Sequence, residues 1–229
     1  PAGFADQFEE INSTAITAAL RAREASGRDD VLIAGSLSHM CPFADGSLQP
    51  ALSDGPSQTQ MADAFAELAM LFRDQGCDLI LLEMMFFPER MGFAFQAAKQ
   101  TGLPVWAGFS VRRGENGQVL SYAPDRDIPF EDIVQVLKEF DVDAAGVMHS
   151  PSDVTGEAIE IVRGVFNGPL TAYPDSGYFE MPHWQFKDVI TPDELLQFTN
   201  QWVENGVQVI GGCCGLSPKH IAVFKTLKG

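Results

Sequence analysis

Short apolar, β-branched runs alternate along this chain with longer segments whose apolar residues recur every three or four positions. The first pattern is that of strands and the second that of amphipathic helices. The short runs predict six strands: Val31–Ser38, Asp78–Met85, Pro104–Val111, Ala144–Ser150, Pro169–Ser176 and Val207–Cys214. The longer ones predict seven helices: Asp6–Ser26, Gln60–Gln75, Arg90–Thr101, Phe130–Phe140, Val154–Val165, Pro192–Asn205 and Pro218–Leu227. Thr191 before Pro192, with Glu194 three residues on, is a capping box with Pro in the first turn, and Ser217-Pro218 repeats the device. Gly76, Gly102 and Gly206 stand where helices should stop.

Strands that alternate with helices argue a parallel α/β sheet. The irregular stretches Met40–Thr59 and Tyr178–Val189 each follow a predicted strand, the place where such folds keep their chemistry. No linker, charge block or shift of composition divides the chain, so one domain over residues 1–229 is expected. Six strands fit either an open doubly wound sheet or an incomplete eight-stranded barrel. A complete (β/α)₈ domain takes about 250 residues. At 229 residues, with a helix first, this chain falls about two βα units short of one.

Composition narrows the function classes. Lys+Arg 15 against Asp+Glu 31 gives a formal net charge of -16, which repels nucleic-acid phosphates and anionic membrane surfaces. No apolar run approaches the roughly 20 residues of a membrane helix, and the first residues lack the basic and apolar regions of a signal peptide. The expectation is a soluble, cytoplasmic protein that acts on small molecules. Cys41, Cys77, Cys213 and Cys214 are too few and too unevenly placed for a disulfide scaffold, and they read as thiols.

The strongest local signal is Val209-Ile210-Gly211-Gly212-Cys213-Cys214-Gly215, in which a buried strand runs into glycines that frame two adjacent thiols. Adjacent residues of a regular strand face opposite ways, so both sulfurs meet one point only where the strand ends. The start of the following helix adds positive potential that favours thiolate. Such a soft donor pair suggests zinc, with Cys213 and Cys214 as ligands and catalytic residues. A third ligand must come from another strand end. His149, where the strand Ala144–Ser150 stops, is the best placed; Cys41 and then His39 are the alternatives. Cys77 opens a strand at the opposite end and reads as core.

Glu83 interrupts an apolar run near its C-terminal end, where a carboxylate needs a cation or several donors. Arg90 and a substrate ammonium are the two candidates. Asp175 ends the next-to-last strand and could accept from substrate, contact the metal or cap a turn. Ser36 and Ser110 end two more strands, and Ser36 joins Glu83 and Asp175 as a candidate substrate-binding residue.

These residues resemble the zinc-dependent homocysteine S-methyltransferases along nearly the whole chain. The matches are Ala34-Gly35-Ser36, Ala44-Asp45-Gly46-Ser47, the Glu83 strand, Gly102-Leu103-Pro104-Val105-Trp106, Gly146-Val147, Tyr173-Pro174-Asp175-Ser176-Gly177, Trp202, Ile210-Gly211-Gly212-Cys213-Cys214-Gly215, Pro218 and His220-Ile221. The resemblance implies a (β/α)₈ barrel whose first two strands have no counterpart in this sequence. It implies Zn²⁺ held by three cysteines at the barrel mouth, two of which match Cys213 and Cys214. The third falls in a Gly-Val-Asn-Cys-like element that reads here Gly146-Val147-Met148-His149; a shifted alignment would put Met148 at the ligand position. Glu83 matches the residue that holds the amino-acid end of homocysteine, followed here by Met84 in place of the usual Thr. Asp175 stands where the family has Asn. The implied reaction moves a methyl group from a sulfonium, ammonium or folate donor to the zinc-activated thiol of homocysteine, giving methionine. The alternative is a non-catalytic relative that binds a metal, thiol or small metabolite.

Overall fold

The computed structural model describes residues 4–39, 56–180 and 185–227. The chain packs into two compact units, one of Pro1–Glu83 with Pro88–Trp106 and the other of Met84–Phe87 with Ala107–Gly229.

In the first unit the order is α1 (Phe8–Ser26), β1 (Ala34–Ser38), α2 (Gln58–Asp74), β2 (Leu79–Met85), α3 (Pro88–Gln100) and β3 (Val105–Phe109), the last residues of β2 and β3 belonging to the second unit. Strands β1 and β2 are parallel neighbours with Ser38 opposite Glu83, and the Ile80 N–H donates to the Pro104 carbonyl just before β3. Leu37, Ile80, Leu82, Ala94, Phe95 and Ala98 have no exposed surface and form the core. Helix α2 starts on a capping box in which Ser57 and Gln60 satisfy each other's backbone N–H groups.

The second unit adds β4 (Val111–Arg113), β5 (Val119–Ser121), α4 (Phe130–Ile133), β6 (Ala144–Pro151), α5 (Ser152–Arg163), β7 (Leu170–Asp175), β8 (Tyr178–Glu180), β9 (Gln185–Lys187), α6 (Pro192–Glu204), β10 (Val207–Ile210) and α7 (Pro218–Ala222). Strands β6, β7 and β10 are parallel and adjacent in that order. Helix α6 carries the predicted Thr191–Glu194 box behind Pro192. Its buried Leu195 and Trp202 belong to a core that includes Phe109, Phe130, Ile133, Val147, Ile159 and Ala172.

All six expected strands are present, with the pairs β1–β2, β6–β7 and β7–β10 parallel, in the α/β alternation of a (β/α)₈-type fold. Four further strands form two antiparallel hairpins, β4–β5 and β8–β9. The segment Tyr178–Val189, expected to be irregular, therefore contains a hairpin. The last predicted strand is assigned only to Ile210, before the cysteines. The helix expected over Phe130–Phe140 is one α turn followed by a 3-10 turn at Val134–Lys138, and that over Pro218–Leu227 divides likewise at Val223.

Two glycines fix how closely the strands of the second unit approach. A Cβ at Gly146 would overlap the Thr171 carbonyl oxygen, and one at Gly215, whose φ is 78°, would overlap the Ser176 carbonyl oxygen. Gly92, inside α3, has open space around it. Gly146→Ala should therefore destabilise the protein by about 1–3 kcal/mol through overpacking, whereas Gly92→Ala should stabilise it by roughly 0.5–1 kcal/mol through helix propensity. Urea denaturation of the two variants checks the opposite signs.

Candidate metal centre

Strand β7 acts as the reference for this site, because both neighbours deliver their chemistry against its last residues. On one side the pairing with β10 continues beyond the strand: Gly211 N–H donates to Ala172 O at 2.9 Å, Cys213 N–H to Pro174 O at 2.8 Å and Ser176 N–H to Cys214 O at 3.0 Å. This ladder holds the Cys-Cys turn on the backbone of β7 while the glycines supply its curvature.

On the other side β6 pairs in register up to Met148 opposite Tyr173, and then Pro151 stands opposite Asp175. Three steps on β6 match two on β7, which is a one-residue bulge. His149 lies in it with φ of 41°, a left-handed conformation rare outside glycine. Hydrogen bonds clamp the bulge from both ends. The Ser110 and Ser150 hydroxyls donate to the Met148 carbonyl at 3.0 Å and 2.7 Å, and Val111 N–H donates to Ser150 Oγ at 2.9 Å. Strain of this kind persists only where the surroundings over-determine it, and here it re-aims the imidazole.

His149 Nδ1 lies 3.5 Å from Cys213 Sγ, and Cys213 Sγ lies 3.8 Å from Cys214 Sγ. One donor atom from each of the three falls within 4.8 Å of the others. A tetrahedral zinc ion with Zn–S near 2.3 Å and Zn–N near 2.0–2.1 Å separates sulfur from nitrogen by about 3.6 Å and sulfur from sulfur by about 3.8 Å. The two measured edges match that figure, so the residues fit zinc in both chemistry and spacing. The Asp175 carboxylate stands behind the imidazole, its Oδ2 at 3.8 Å from His149 Nε2. Tyr122 packs its ring edge against the imidazole, centroids 5.5 Å apart at 69°, and against Phe86 at 5.6 Å.

The electrostatics are those of a thiolate site. The Cys214 thiol is pulled down to about 4, first by the hydrogen bond from Cys213 and then by His149, against burial. Burial pushes the Asp175 carboxyl up although His149 opposes it. Burial, and then the charges of Asp175 and Cys214, push the Tyr122 phenol up, so it stays protonated.

The other expected residues fall as follows. In the first unit Ser36 donates a hydrogen bond to the Glu83 carboxylate, so the group that meets Glu83 is this hydroxyl. His39 is 1% exposed and held neutral by burial and by Arg90, which lower it to about 3. Cys77 is buried and its thiol is raised by burial, in keeping with a core position. Cys41 and the Ala44–Ser47 match lie outside the described residues. Met148 is 3% exposed and its sulfur accepts from Met84 N–H and from Ser110 Oγ, each at 3.3 Å, so this thioether has partners of its own. Tyr122 is a contact that sequence reasoning missed. The signal was Asn116-Gly117, a hairpin turn flanked by the apolar residues of β4 and β5.

Comparison with known proteins agrees with this geometry. The model of the family described as homocysteine S-methyltransferase matches residues 1–227. The selenocysteine methyltransferase of Astragalus bisulcatus is 26% identical over 86% of this chain and 59% of its own length. The betaine–homocysteine S-methyltransferase 1 of Danio rerio is 26% identical over 93% of this chain and 53% of its own length. The chain thus spans between half and two thirds of these relatives. The homocysteine methyltransferase MmuM of Escherichia coli, solved in an apo form, shares the fold with a TM-score of 0.70 at 22% identity, over 96% of this chain and 73% of that one. Its metallated form gives 0.68 at 23% identity, over 98% and 75%.

In metal-free protein, alkylation of Cys214 by iodoacetamide should keep its rate from pH 8 down to about pH 5 and fall as pH drops through about 4, where the thiolate is protonated. His149→Ala should move that midpoint upward. Peptide mass spectrometry across pH, with buried Cys77 as the unreactive control, measures it.

Proposed function

We propose, from the premise that this chain belongs to the homocysteine S-methyltransferase family, that it carries a methyl group from a sulfonium, quaternary ammonium or folate donor to the thiol of homocysteine or a closely similar amino acid. The observation that carries this reading is the clustering of His149, Cys213 and Cys214 at zinc spacing on two strand ends. Three protein donors are the number found in catalytic zinc sites, which keep a fourth position for water or substrate. Zinc held there supplies Lewis acidity, which keeps a substrate thiol as thiolate at neutral pH.

The chain's own residues do the rest. Cys213, Cys214 and His149 hold the metal from a backbone fixed on β7. Glu83, with the Ser36 hydroxyl donating to it, offers a carboxylate for the ammonium group of an amino-acid substrate. The protonated Tyr122 phenol and the rings of Phe86 and Phe87 give this unit an aromatic cluster next to the imidazole, which limits water around the reacting sulfur.

Purified chain should contain one zinc and form methionine from homocysteine with one of four donors, S-methylmethionine, S-adenosylmethionine, betaine or 5-methyltetrahydrofolate, read by mass spectrometry. Cys214→Ala should lose both metal and activity. Zinc-loaded protein that methylates homocysteine from none of these donors overturns the reading. Glu83→Gln should raise KM for homocysteine about 10- to 100-fold with little change in kcat, the effect of losing a charge-assisted hydrogen bond of roughly 1.5–3 kcal/mol.

A further inference from the structure

The imidazole of His149 has two nitrogens with different neighbours. Nδ1 faces Cys213 Sγ at 3.5 Å, and Nε2 faces the Asp175 carboxylate at 3.8 Å. If Nδ1 is to give its lone pair to a metal, the proton must sit on Nε2, and a carboxylate on that side selects this tautomer. The two side chains are 20% and 17% exposed, so water competes poorly for either. The backbone brings them together by the same irregularity that aims the histidine, since the bulge in β6 ends where Pro151 pairs with Asp175.

Charge counting gives a second, independent reason. A dication held by two thiolates and one neutral imidazole carries no net charge. Asp175 adds one negative charge immediately outside, 3.8 Å from the far nitrogen of a ligand rather than on the metal, and so makes the imidazole a stronger donor.

We propose that Asp175 is a positioning residue for the metal: its carboxylate faces Nε2 of His149 and holds the proton on that nitrogen by accepting from its N–H, fixing the tautomer and orientation of the imidazole and strengthening Nδ1 as a ligand. It acts through His149 and contacts neither metal nor substrate. The proposal rests on the metal-binding reading of the His149 cluster and concerns affinity, so it stands apart from which methyl donor is used.

The test is zinc affinity of the metal-free chain in competition with a chromophoric chelator, measured for Asp175→Asn and Asp175→Ser in two backgrounds, wild-type and His149→Cys. In the wild-type background each substitution should weaken zinc binding about 10- to 100-fold, the usual effect of removing a partner of a metal-ligating histidine. In the His149→Cys background, where no imidazole remains to be oriented, the same substitutions should leave affinity within about twofold or improve it, since the carboxylate then only repels a third thiolate. Unchanged affinity in the wild-type background overturns the proposal. An equal loss in both backgrounds also overturns it, by showing that Asp175 ligates directly or merely supports the fold. A chain that binds zinc with this pattern yet transfers no methyl group refutes the proposed function and leaves this inference intact.

Discussion

Everything at the metal centre depends on the backbone of β7, which two neighbouring segments use as a ruler. The hydrogen bonds from Gly211, Cys213 and Ser176 across this strand place the two sulfurs, and the register from Met148 to Pro151 places the imidazole. Backbone hydrogen bonds suit this task because each residue carries one donor and one acceptor at fixed spacing. A cluster of three donors that must converge on one ion needs supports that rigid, and side chains on mobile loops would not supply them.

That ruler also explains why soft chemistry sits beside so much apolar packing. Met84, Met148 and Ser110 form a buried knot in which one hydroxyl reaches both thioether sulfurs and the Met148 carbonyl. Met84 takes a left-handed conformation with φ of 59° next to it. Two strained residues, Met84 and His149, are thus tied to one another through Met148, whose sulfur accepts from the Met84 N–H. Their shared hydrogen bonds keep either from relaxing alone.

Much of this was legible in the sequence, because its signals are local. The six strands follow from apolar runs, the α6 start from Thr191-Pro192 and Glu194, and the clustered thiols from glycines around Cys213-Cys214. The departures share a physical cause. The helices beginning at Phe130 and Pro218 tighten into 3-10 turns after one α turn, a choice that packing makes and apolar periodicity does not record. The hairpins carry too few residues for a periodic signal to stand out, and Val111, the first residue of β4, reads as the end of the preceding strand. The tautomer-selecting contact of Asp175 and the ring of Tyr122 depend on long-range register, which no window of sequence contains. Ser36 and Glu83 were each singled out, but their hydrogen bond follows only once β1 and β2 are paired.

The one-residue bulge in β6 has an evolutionary meaning of its own. Between Gly146 and Pro151 the donor is determined by the number of residues as much as by their identity. A point mutation at position 149 exchanges one ligand type for another on an unchanged frame. Deleting a single neighbouring residue would turn the histidine to the opposite face and abolish the centre with every ligand retained. Descent within such sheets is therefore recorded in insertions and deletions, and a lineage could lose its metal through a length change that leaves Gly146, His149, Cys213 and Cys214 all present.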